Sequence, residues 1–228
     1  MTEQFAAPAV LPDWLRPLAE AAEDADPGHF MRLAPEPGAS IRRSAVLVLF
    51  GEGPNGPDLL LIERASTLRQ HAGQPAFPGG GADPDDDDAV QTALREAQEE
   101  TGVDPAGVEV FAALPDLYLP VSSFAVTPVL AWWREPGAVG VRDPAEVAAV
   151  VRVPIAELVD PAHRGTLVHP SGYLGPAFEV AGLLVWGFTA ALLSGVLELG
   201  GFARHWDADR RLSLPPGAWQ PPPRTVQE

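Results

Sequence analysis

The stretch FPGGGADPDDDDAVQTALREAQEETGV, residues 77–103, decides the fold of this chain. It predicts a glycine-rich loop (FPGGG), an acidic turn (ADPDDDD) and one helix that carries three glutamates. Glu96, Glu99 and Glu100 are spaced i, i+3 and i+4, so they fall within an arc of about 100° on one helix face. Three carboxylates this close repel one another, and a hard divalent cation such as Mg²⁺ or Mn²⁺ offsets that repulsion through oxygen ligands. The helix therefore predicts a metal site.

Apolar residues occupy another arc of the same helix. Val90, Ala93, Leu94 and Ala97 share this arc, so we expect one face to pack while the carboxylate face opens to a cleft. Gly102 follows the last periodic residues and suits the C-terminus of the helix.

The composition of the chain excludes some classes of partner. The 228 residues carry 31 acidic and 15 basic side chains, which gives a net charge of −16. Such a surface repels nucleic acid and anionic membranes, so we expect neither as a partner. The chain has no cysteine, no apolar run of membrane-spanning length and no signal-peptide pattern at its start, so we expect a cytoplasmic protein.

Composition and patterning divide the chain into a central domain and two ends. Residues 1–38 predict an N-terminal extension with one helix, and residues 39–201 form the domain around the glutamate helix. Residues 202–228 predict a proline-rich C-terminal tail that is extended or disordered. The expected buried stripe of the N-terminal helix is Trp14, Leu15, Leu18 and Ala22.

Apolar runs of strand length lie on both sides of the glutamate helix, which predicts an α/β sandwich rather than a βαβ repeat. We expect a turn over 51–58 between the first two strands, and one or two further strands within 164–186. A closing helix is expected at 185–199. The predicted strands are 44–50, 59–63, 108–114, 124–133 and 147–153.

The glutamate helix resembles the second half of the Nudix box, whose order is Arg-Glu-apolar-x-Glu-Glu-x-Gly-apolar. The matching residues are Arg95, Glu96, Ala97, Glu99, Glu100, Gly102 and Val103. The resemblance implies a Nudix α/β/α sandwich with a mixed β-sheet between helices, and a metal-dependent hydrolase of phosphoanhydrides. The domain at 39–201 would then be the Nudix hydrolase domain.

The first half of the box departs from the family pattern. Where the family has a glutamate, this chain has Asp86 if the spacing is counted forward from Gly80, or Asp87 if it is counted back from Arg95. Both alternatives replace glutamate by aspartate.

A second motif, upstream of the box, resembles the signature of the coenzyme A pyrophosphatase branch of the family. Ile62 departs from it, because the branch prefers threonine or serine there. This resemblance implies hydrolysis of the diphosphate bond of coenzyme A or acyl-CoA to 3′,5′-ADP and (acyl-)4′-phosphopantetheine, with Mg²⁺ or Mn²⁺ as cofactor, in a homodimer. The matching residues are Leu60, Leu61, Arg64, Ala65, Arg69, Gly73 and Phe77 to Gly80.

The resemblance and the bottom-up chemistry together give a set of expected site residues. Glu96, Glu99, Glu100 and the carbonyl of Gly79 would bind the cation, and Arg95 would orient the carboxylates beside it. The catalytic base would be one of the glutamates or a carboxylate from a later loop. Guanidinium groups suit phosphate oxygens. The expected substrate contacts are Arg64, Arg69, His71, Gln74, Phe77 and Gly80.

Several alternatives remain open at this point. Arg64 and Arg69 could pair with the aspartate-rich turn instead of a phosphate. The enzyme could act on another nucleoside diphosphate derivative, such as ADP-ribose, a dinucleotide or a nucleoside triphosphate. The chain could also be a non-catalytic Nudix-like module that binds nucleotides, although such a module would be expected to lose box glutamates, and all three are present here.

Overall fold

The structure is a computed structural model that describes residues 5–7, 10–30, 40–68, 71–120 and 123–215. The helices are α1 (Arg16–Ala22), α2 (Pro27–Phe30), α3 (Ala89–Thr101), α4 (Ile155–Leu158) and α5 (Gly187–Leu199), with short 3₁₀ turns at Pro105–Gly107 and Pro161–His163. The strands are β1 (Arg42–Gly53), β2 (Gly56–Arg64), β3 (Pro75–Ala76), β4 (Gly79–Gly81), β5 (Val108–Ala113), β6 (Leu117–Leu119), β7 (Phe124–Trp133), β8 (Val147–Pro154), β9 (Arg164–Val168), β10 (Leu174–Val180), β11 (Leu183–Val185) and β12 (Arg211–Ser213).

A mixed sheet forms the middle layer. Among the described residues eight strands build it, with the main order β3-β2-β1-β7-β5, while β8 joins β2, β4 joins β1 and β6 joins β7. Strand β1 runs parallel to β7 and antiparallel to β2. A second sheet of four strands in the described part of the chain has the order β11-β10-β9-β12.

Successive side chains of β1 pack in two different core clusters, which shows that the central sheet is covered on both faces. Ala45, Leu47 and Leu49 are fully buried in a cluster with Ala93 and Ala97 of α3. Their neighbours on the other face of β1, such as Val48 and Phe50, belong to a larger cluster shared with α1, α4 and α5. Successive side chains of a strand point to opposite faces, so the sheet lies between two helical layers. The predicted α/β/α sandwich is confirmed.

The N-terminal helix forms as predicted, and it is part of the main core. Pro17 occupies the first turn of α1, where its missing N–H costs nothing. Leu15 and Leu18 are fully buried, and the Trp14 ring meets the rings of Phe50 and Trp132 edge-on. The segment that the sequence presented as an extension therefore packs on the central sheet as one of its covering layers.

Three element boundaries differ from the prediction. The first hairpin is tighter than the expected turn over 51–58, because Gly53 pairs with Gly56. The closing helix begins at Gly187, since Val185 still pairs with Phe178 in the second sheet. The expected tail contributes a strand, since β12 pairs in parallel with β9. The end of that tail, residues 216–228, lies outside the described residues.

No helix within the described ranges combines the length and the apolar character needed to cross a membrane.

Candidate active site

Helix α3 lies close to the sheet because its inward face is small. Ala93 and Ala97 are fully buried, and the helix is capped at its start by Asp88, whose side chain accepts a hydrogen bond from the backbone N–H of Gln91 at 2.8 Å. It is capped at its end by Gly102, which adopts the left-handed conformation with φ of 76°. The two caps fix where the helix begins and ends, and so which way the glutamates face: toward β4, the glycine strand at Gly79–Gly81.

The three glutamates occupy different environments. Glu100 is 2% exposed, the Glu96 side chain is 15% exposed and the Glu99 side chain is 60% exposed. The Oε2 atom of Glu100 accepts a hydrogen bond from the backbone N–H of Gly79 at 2.9 Å. The helix therefore presents one carboxylate in the interior, one that is mostly covered and one to solvent.

Burial raises the pKa of the Glu100 carboxyl to about 7, and the Gly79 N–H and the charge of Arg64 only partly oppose this shift. Burial also raises the pKa of Glu96, against the lowering effect of Arg95. Both shifts have the sign expected of carboxylates held out of water and close to other acids. Positive charge near this face would stabilise the ionised forms.

Arg95 organises the acidic turn and the helix together. Its Nε donates to Asp86 Oδ1 at 3.0 Å and its Nη2 donates to Asp86 Oδ2 at 2.9 Å, while Nη1 lies 3.1 Å from both Glu96 Oε1 and Glu99 Oε2. A two-pronged pair of this kind fixes the guanidinium plane. Its hydrogen bonds lower the pKa of Asp86 well below its ordinary value.

The same geometry decides between the two aspartates that the spacing left open. The Asp86 side chain is 3% exposed and also accepts hydrogen bonds from Thr92 Oγ1 and from the Asp83 N–H, both at 2.9 Å. Asp87 is exposed, and its backbone N–H donates to Gln91 Oε1 at 2.6 Å. Asp86 is thus the aspartate that meets Arg95.

The glycine loop lets the backbone approach the helix. A Cβ at Gly80 would lie 2.5 Å from the carboxylate of Glu96, so any side chain at this position would displace that carboxylate. A Cβ at Gly79 would lie 2.3 Å from the carbonyl oxygen of Ala45 on β1. The loop is therefore held between the central sheet and the carboxylate face.

The oxygen atoms at this site suit a hard divalent cation as ligands. They are the carboxylates of the α3 glutamates and the backbone oxygens of the glycine loop, and Mg²⁺ and Mn²⁺ prefer such ligands. Within the described residues no three Asp, Glu or His side chains are already gathered as a metal centre. Arg95 accounts for part of this, because it draws Glu96 and Glu99 toward itself.

Arg64 lies close enough to the carboxylate face for its charge to act on Glu100. Its backbone N–H donates to Gln74 O and its carbonyl accepts from Gly73, both at 3.1 Å, so the loop after β2 folds back on it. Its charge lowers the pKa of Glu100. The Nε atom is buried and has no hydrogen-bond partner among the described residues. None of the described aspartates of the acidic turn forms an ion pair with it.

The other expected substrate contacts have mixed outcomes. His71 is exposed, and its Nδ1 lies 2.9 Å from Gln74 Oε1, so these two side chains are brought together at the loop. Arg69 lies outside the described residues. Phe77 requires a correction, because its ring is 2% exposed and packs in the main core. Its side chain anchors the glycine loop instead of facing the cleft.

A residue that the sequence did not single out also acts on this site. Glu146 lies in the loop between β7 and β8, and its charge raises the pKa of both Glu96 and Glu100. From the sequence we expect only that a carboxylate from a later loop could act as the catalytic base. A correct prediction that β8 pairs with β2 would have placed Glu146 here, because its neighbour Val147 pairs with Arg64.

Comparison with known proteins decides the family. Residues 41–171, more than half of the chain, match the family model of the NUDIX domain. This chain belongs to the Nudix family. The Nudix hydrolase NudL of Cronobacter sakazakii, whose description is "uncharacterized", is 39% identical over 171 residues, which cover 70% of this chain and 83% of that protein. The NudL of Escherichia coli, which has the same description, is 37% identical over 175 residues, which cover 70% of this chain and 83% of that protein.

The fold of this Nudix hydrolase is also similar to a solved one. The crystal structure of RenU, a Nudix hydrolase from M. smegmatis, aligns with a TM-score of 0.50 and 20% identity over 73% of this chain and 89% of that one. The likeness concerns the fold alone. Family and fold together establish a pyrophosphohydrolase, an enzyme that cleaves a phosphoanhydride bond in a small nucleotide substrate.

Proposed function

We propose that this Nudix hydrolase cleaves the diphosphate bond of coenzyme A or an acyl-CoA, giving 3′,5′-ADP and 4′-phosphopantetheine or its acylated form. The observation that carries the proposal is the position of Arg64. It belongs to the upstream motif at 60–80, and it lies beside the carboxylate face with a buried Nε that has no partner among the described residues. A guanidinium in that state suits a phosphate oxygen.

The proposed cofactor is Mg²⁺ or Mn²⁺, held by Glu96, Glu99, Glu100 and the carbonyl of Gly79. When bound, such a cation neutralises charge on phosphoryl oxygens and makes water a better nucleophile at neutral pH. The chain supplies the rest through position. The Gly79 N–H fixes one oxygen of Glu100, and Arg95 holds Glu96 and Glu99 on the same face.

The proposed substrate contacts lie on the loop that follows β2. Arg64 would bind the diphosphate or the 3′-phosphate, and Arg69, His71 and Gln74 would line the same side. Gly80 would contribute its backbone, because a side chain there would displace the Glu96 carboxylate. Most of these groups are polar or basic, which a protein of net charge −16 needs locally in order to bind a polyanion.

The experiment that tests the substrate is product analysis. Coenzyme A, acetyl-CoA, ADP-ribose, a dinucleotide and a nucleoside triphosphate are incubated separately with the enzyme and Mg²⁺ or Mn²⁺, and the products are identified by mass spectrometry. We expect 3′,5′-ADP and 4′-phosphopantetheine from coenzyme A as the most rapid reaction. Faster cleavage of ADP-ribose, a dinucleotide or the triphosphate, without 3′,5′-ADP from coenzyme A, would refute the substrate assignment and leave the hydrolase intact.

A second experiment tests the carboxylate face. Glu100→Gln keeps the size and the Gly79 hydrogen bond but removes the charge, so turnover should fall by orders of magnitude while the protein stays folded. Glu135→Gln is the matched control, because Glu135 is 68% exposed and pairs with Arg134 away from this face. Equal turnover in the two variants would contradict the proposed role of Glu100.

Two further expectations from the sequence stay predictions. A cytoplasmic location and a homodimer are both proposed for this enzyme. Cell fractionation measures the first, and sedimentation velocity of the purified chain measures the second, with a monomer at micromolar concentration as the contradicting result.

A further inference from the structure

The segment 71–76 carries two of the proposed substrate contacts and ends as β3, at one edge of the described central sheet. His71 has a φ of 57°, a left-handed conformation that a residue other than glycine keeps only where the surrounding structure holds it. Its Nδ1 lies 2.9 Å from Gln74 Oε1, and Gln74 O accepts a hydrogen bond from the Arg64 N–H at 3.1 Å. The position of this segment therefore decides where His71 and Gln74 lie relative to Arg64.

Strand β3 is too short to hold the segment by sheet pairing alone. It consists of Pro75 and Ala76, which pair with Glu63 and Ile62 of β2. Proline has no backbone N–H, so one of the two residues donates nothing to the ladder. Pro75 is also buried, and a buried backbone carbonyl needs a hydrogen-bond partner.

Thr189, in the first turn of α5, supplies that partner. Its Oγ1 donates to Pro75 O at 3.0 Å in a buried position, and the threonine is 8% exposed. A threonine hydroxyl in a helix commonly bonds to the carbonyl three or four residues earlier, as Thr101 Oγ1 does with Ala97 O at 2.6 Å. The Thr189 hydroxyl instead reaches an element that lies 114 residues earlier in the chain. It therefore links α5 to the segment 71–76.

The two sides of this link differ in how they are otherwise held. On the C-terminal side, the Phe77 ring packs in the main core, and the carbonyl of the next residue accepts a hydrogen bond from β1 at 2.8 Å. On the N-terminal side, the side-chain bond described for His71 and Gln74 joins them to each other. Loss of the Thr189 bond should therefore displace the side that carries His71 and Gln74 more than the glycine loop.

We propose that Thr189 is a positioning residue of this enzyme, whose hydroxyl holds Pro75 so that His71 and Gln74 meet the substrate beside Arg64. The inference rests on the proposed function, since it takes His71 and Gln74 as substrate contacts. These side chains bind the substrate and take no part in cleaving the phosphoanhydride bond. Their displacement should therefore raise KM more than it lowers kcat.

The test is steady-state kinetics of wild type, Thr189→Val, Thr189→Ser and Thr166→Val. The substrate is the one that wild type cleaves fastest among coenzyme A, acetyl-CoA, ADP-ribose, a dinucleotide and a nucleoside triphosphate. Valine keeps the size of threonine and removes the hydroxyl, so Thr189→Val should raise KM about tenfold and keep kcat within about threefold. Thr189→Ser keeps the hydroxyl and should restore KM to within about twofold of wild type.

Thr166→Val is the matched control. The Thr166 Oγ1 atom also donates to a backbone carbonyl, that of Ala208 at 2.7 Å, but it does so in the second sheet. Its loss should leave KM at the wild-type value. Equal KM in Thr189→Val and Thr166→Val would overturn the inference.

A second control separates positioning from a general loss of stability. Ser194 lies in the same helix as Thr189 and accepts a hydrogen bond from Nη2 of the buried Arg164 at 2.7 Å. Ser194→Ala leaves this guanidinium unpaired, so in urea unfolding it should lose at least as much stability as Thr189→Val while keeping the wild-type KM. An equal rise of KM in these two variants would also overturn the inference. The products that wild type forms decide the substrate assignment separately, so its failure is distinguishable from the failure of this inference.

Discussion

Replacing Asp86 by alanine should destabilise the enzyme by about 2–4 kcal/mol, even though Asp86 belongs to an otherwise exposed acidic turn. The carboxylate accepts four hydrogen bonds, two from Arg95, one from Thr92 and one from the Asp83 N–H. Truncation removes all four and releases the guanidinium that holds the helix glutamates. The same change should lower turnover, since Glu96 and Glu99 lose their fixed partner.

The magnitude follows from the burial of the pair. An exposed ion pair contributes about 0–1 kcal/mol, whereas breaking a buried one costs about 3–5 kcal/mol. Here the Asp86 side chain is 3% exposed and the Arg95 side chain is 27% exposed, so the cost lies between these limits and nearer the upper one. Some compensation remains, because Thr92 Oγ1 can still donate to Asp88 O, 3.2 Å away. Arg95 also keeps its hydrogen bond from Nη2 to the carbonyl oxygen of Gly81.

Urea unfolding at pH 7.5 measures the loss, with Asp87→Ala as the matched control. Asp87 is exposed, so its truncation should stay within about 0.5 kcal/mol of wild type. The pH dependence has a defined sign. Because Arg95 lowers the pKa of Asp86 in the folded state, the stabilisation is complete above the unfolded-state pKa of about 3.9 and is lost as pH falls below it. The difference between wild type and Asp86→Asn should therefore shrink below about pH 4.

Two results would refute this reasoning. If Asp87→Ala costs as much stability as Asp86→Ala, the Arg95 pair does not hold the turn. If the difference between wild type and Asp86→Asn grows as pH falls toward 3, the carboxylate is not stabilised in its charged form.

Three further predictions concern the glycine loop, Arg64 and the N-terminal helix. Gly80→Ala should lower kcat by about 100-fold with the fold intact, because its methyl group would displace a carboxylate of α3, while Gly81→Ala, with open space around its Cβ, should keep near wild-type kcat. Arg64→Lys should lower kcat/KM about tenfold or more in a steady-state assay, since lysine keeps the charge but loses the planar fork. Leu15→Ala should cost about 2–5 kcal/mol in urea unfolding, against less than about 0.5 kcal/mol for the exposed Glu20→Ala, because α1 belongs to the main core.

The sequence predicted the parts of this enzyme that depend on local periodicity. The glutamates of α3 share one face because their spacing is fixed by the helix itself, and Gly102 ends the helix for a local conformational reason. Strand β7 matches its predicted bounds, 124–133, because a continuous apolar run leaves little choice of boundary. These features need no knowledge of the rest of the chain.

The features that the sequence missed are set by tertiary contacts. The choice of Asp86 over Asp87 depends on which carboxylate the turn places under Arg95, and residue spacing cannot distinguish two neighbours. The ring of Phe77 turns into the core because the chain that follows it joins the sheet as β4, beside β1. The charge of Glu146 acts on Glu96 and Glu100 because its neighbour Val147 pairs with a strand that lies far earlier in the chain.

The burial of Glu100 links the stability of this enzyme to its chemistry. A carboxylate that is 2% exposed, with one backbone N–H as its partner and other acids nearby, makes the folded state less stable than an apolar residue of the same size would. The surrounding structure nevertheless fixes it, because the Gly79 N–H donates to its carboxylate and the Arg142 N–H, in the loop between β7 and β8, donates to its backbone oxygen. A ligand that binds only the folded state adds stability in proportion to its affinity, so a cation that neutralises this carboxylate would restore what its burial costs. Glu100 is thus held in place by the fold itself, and preorganisation of this kind is what electrostatic catalysis of phosphoryl transfer requires.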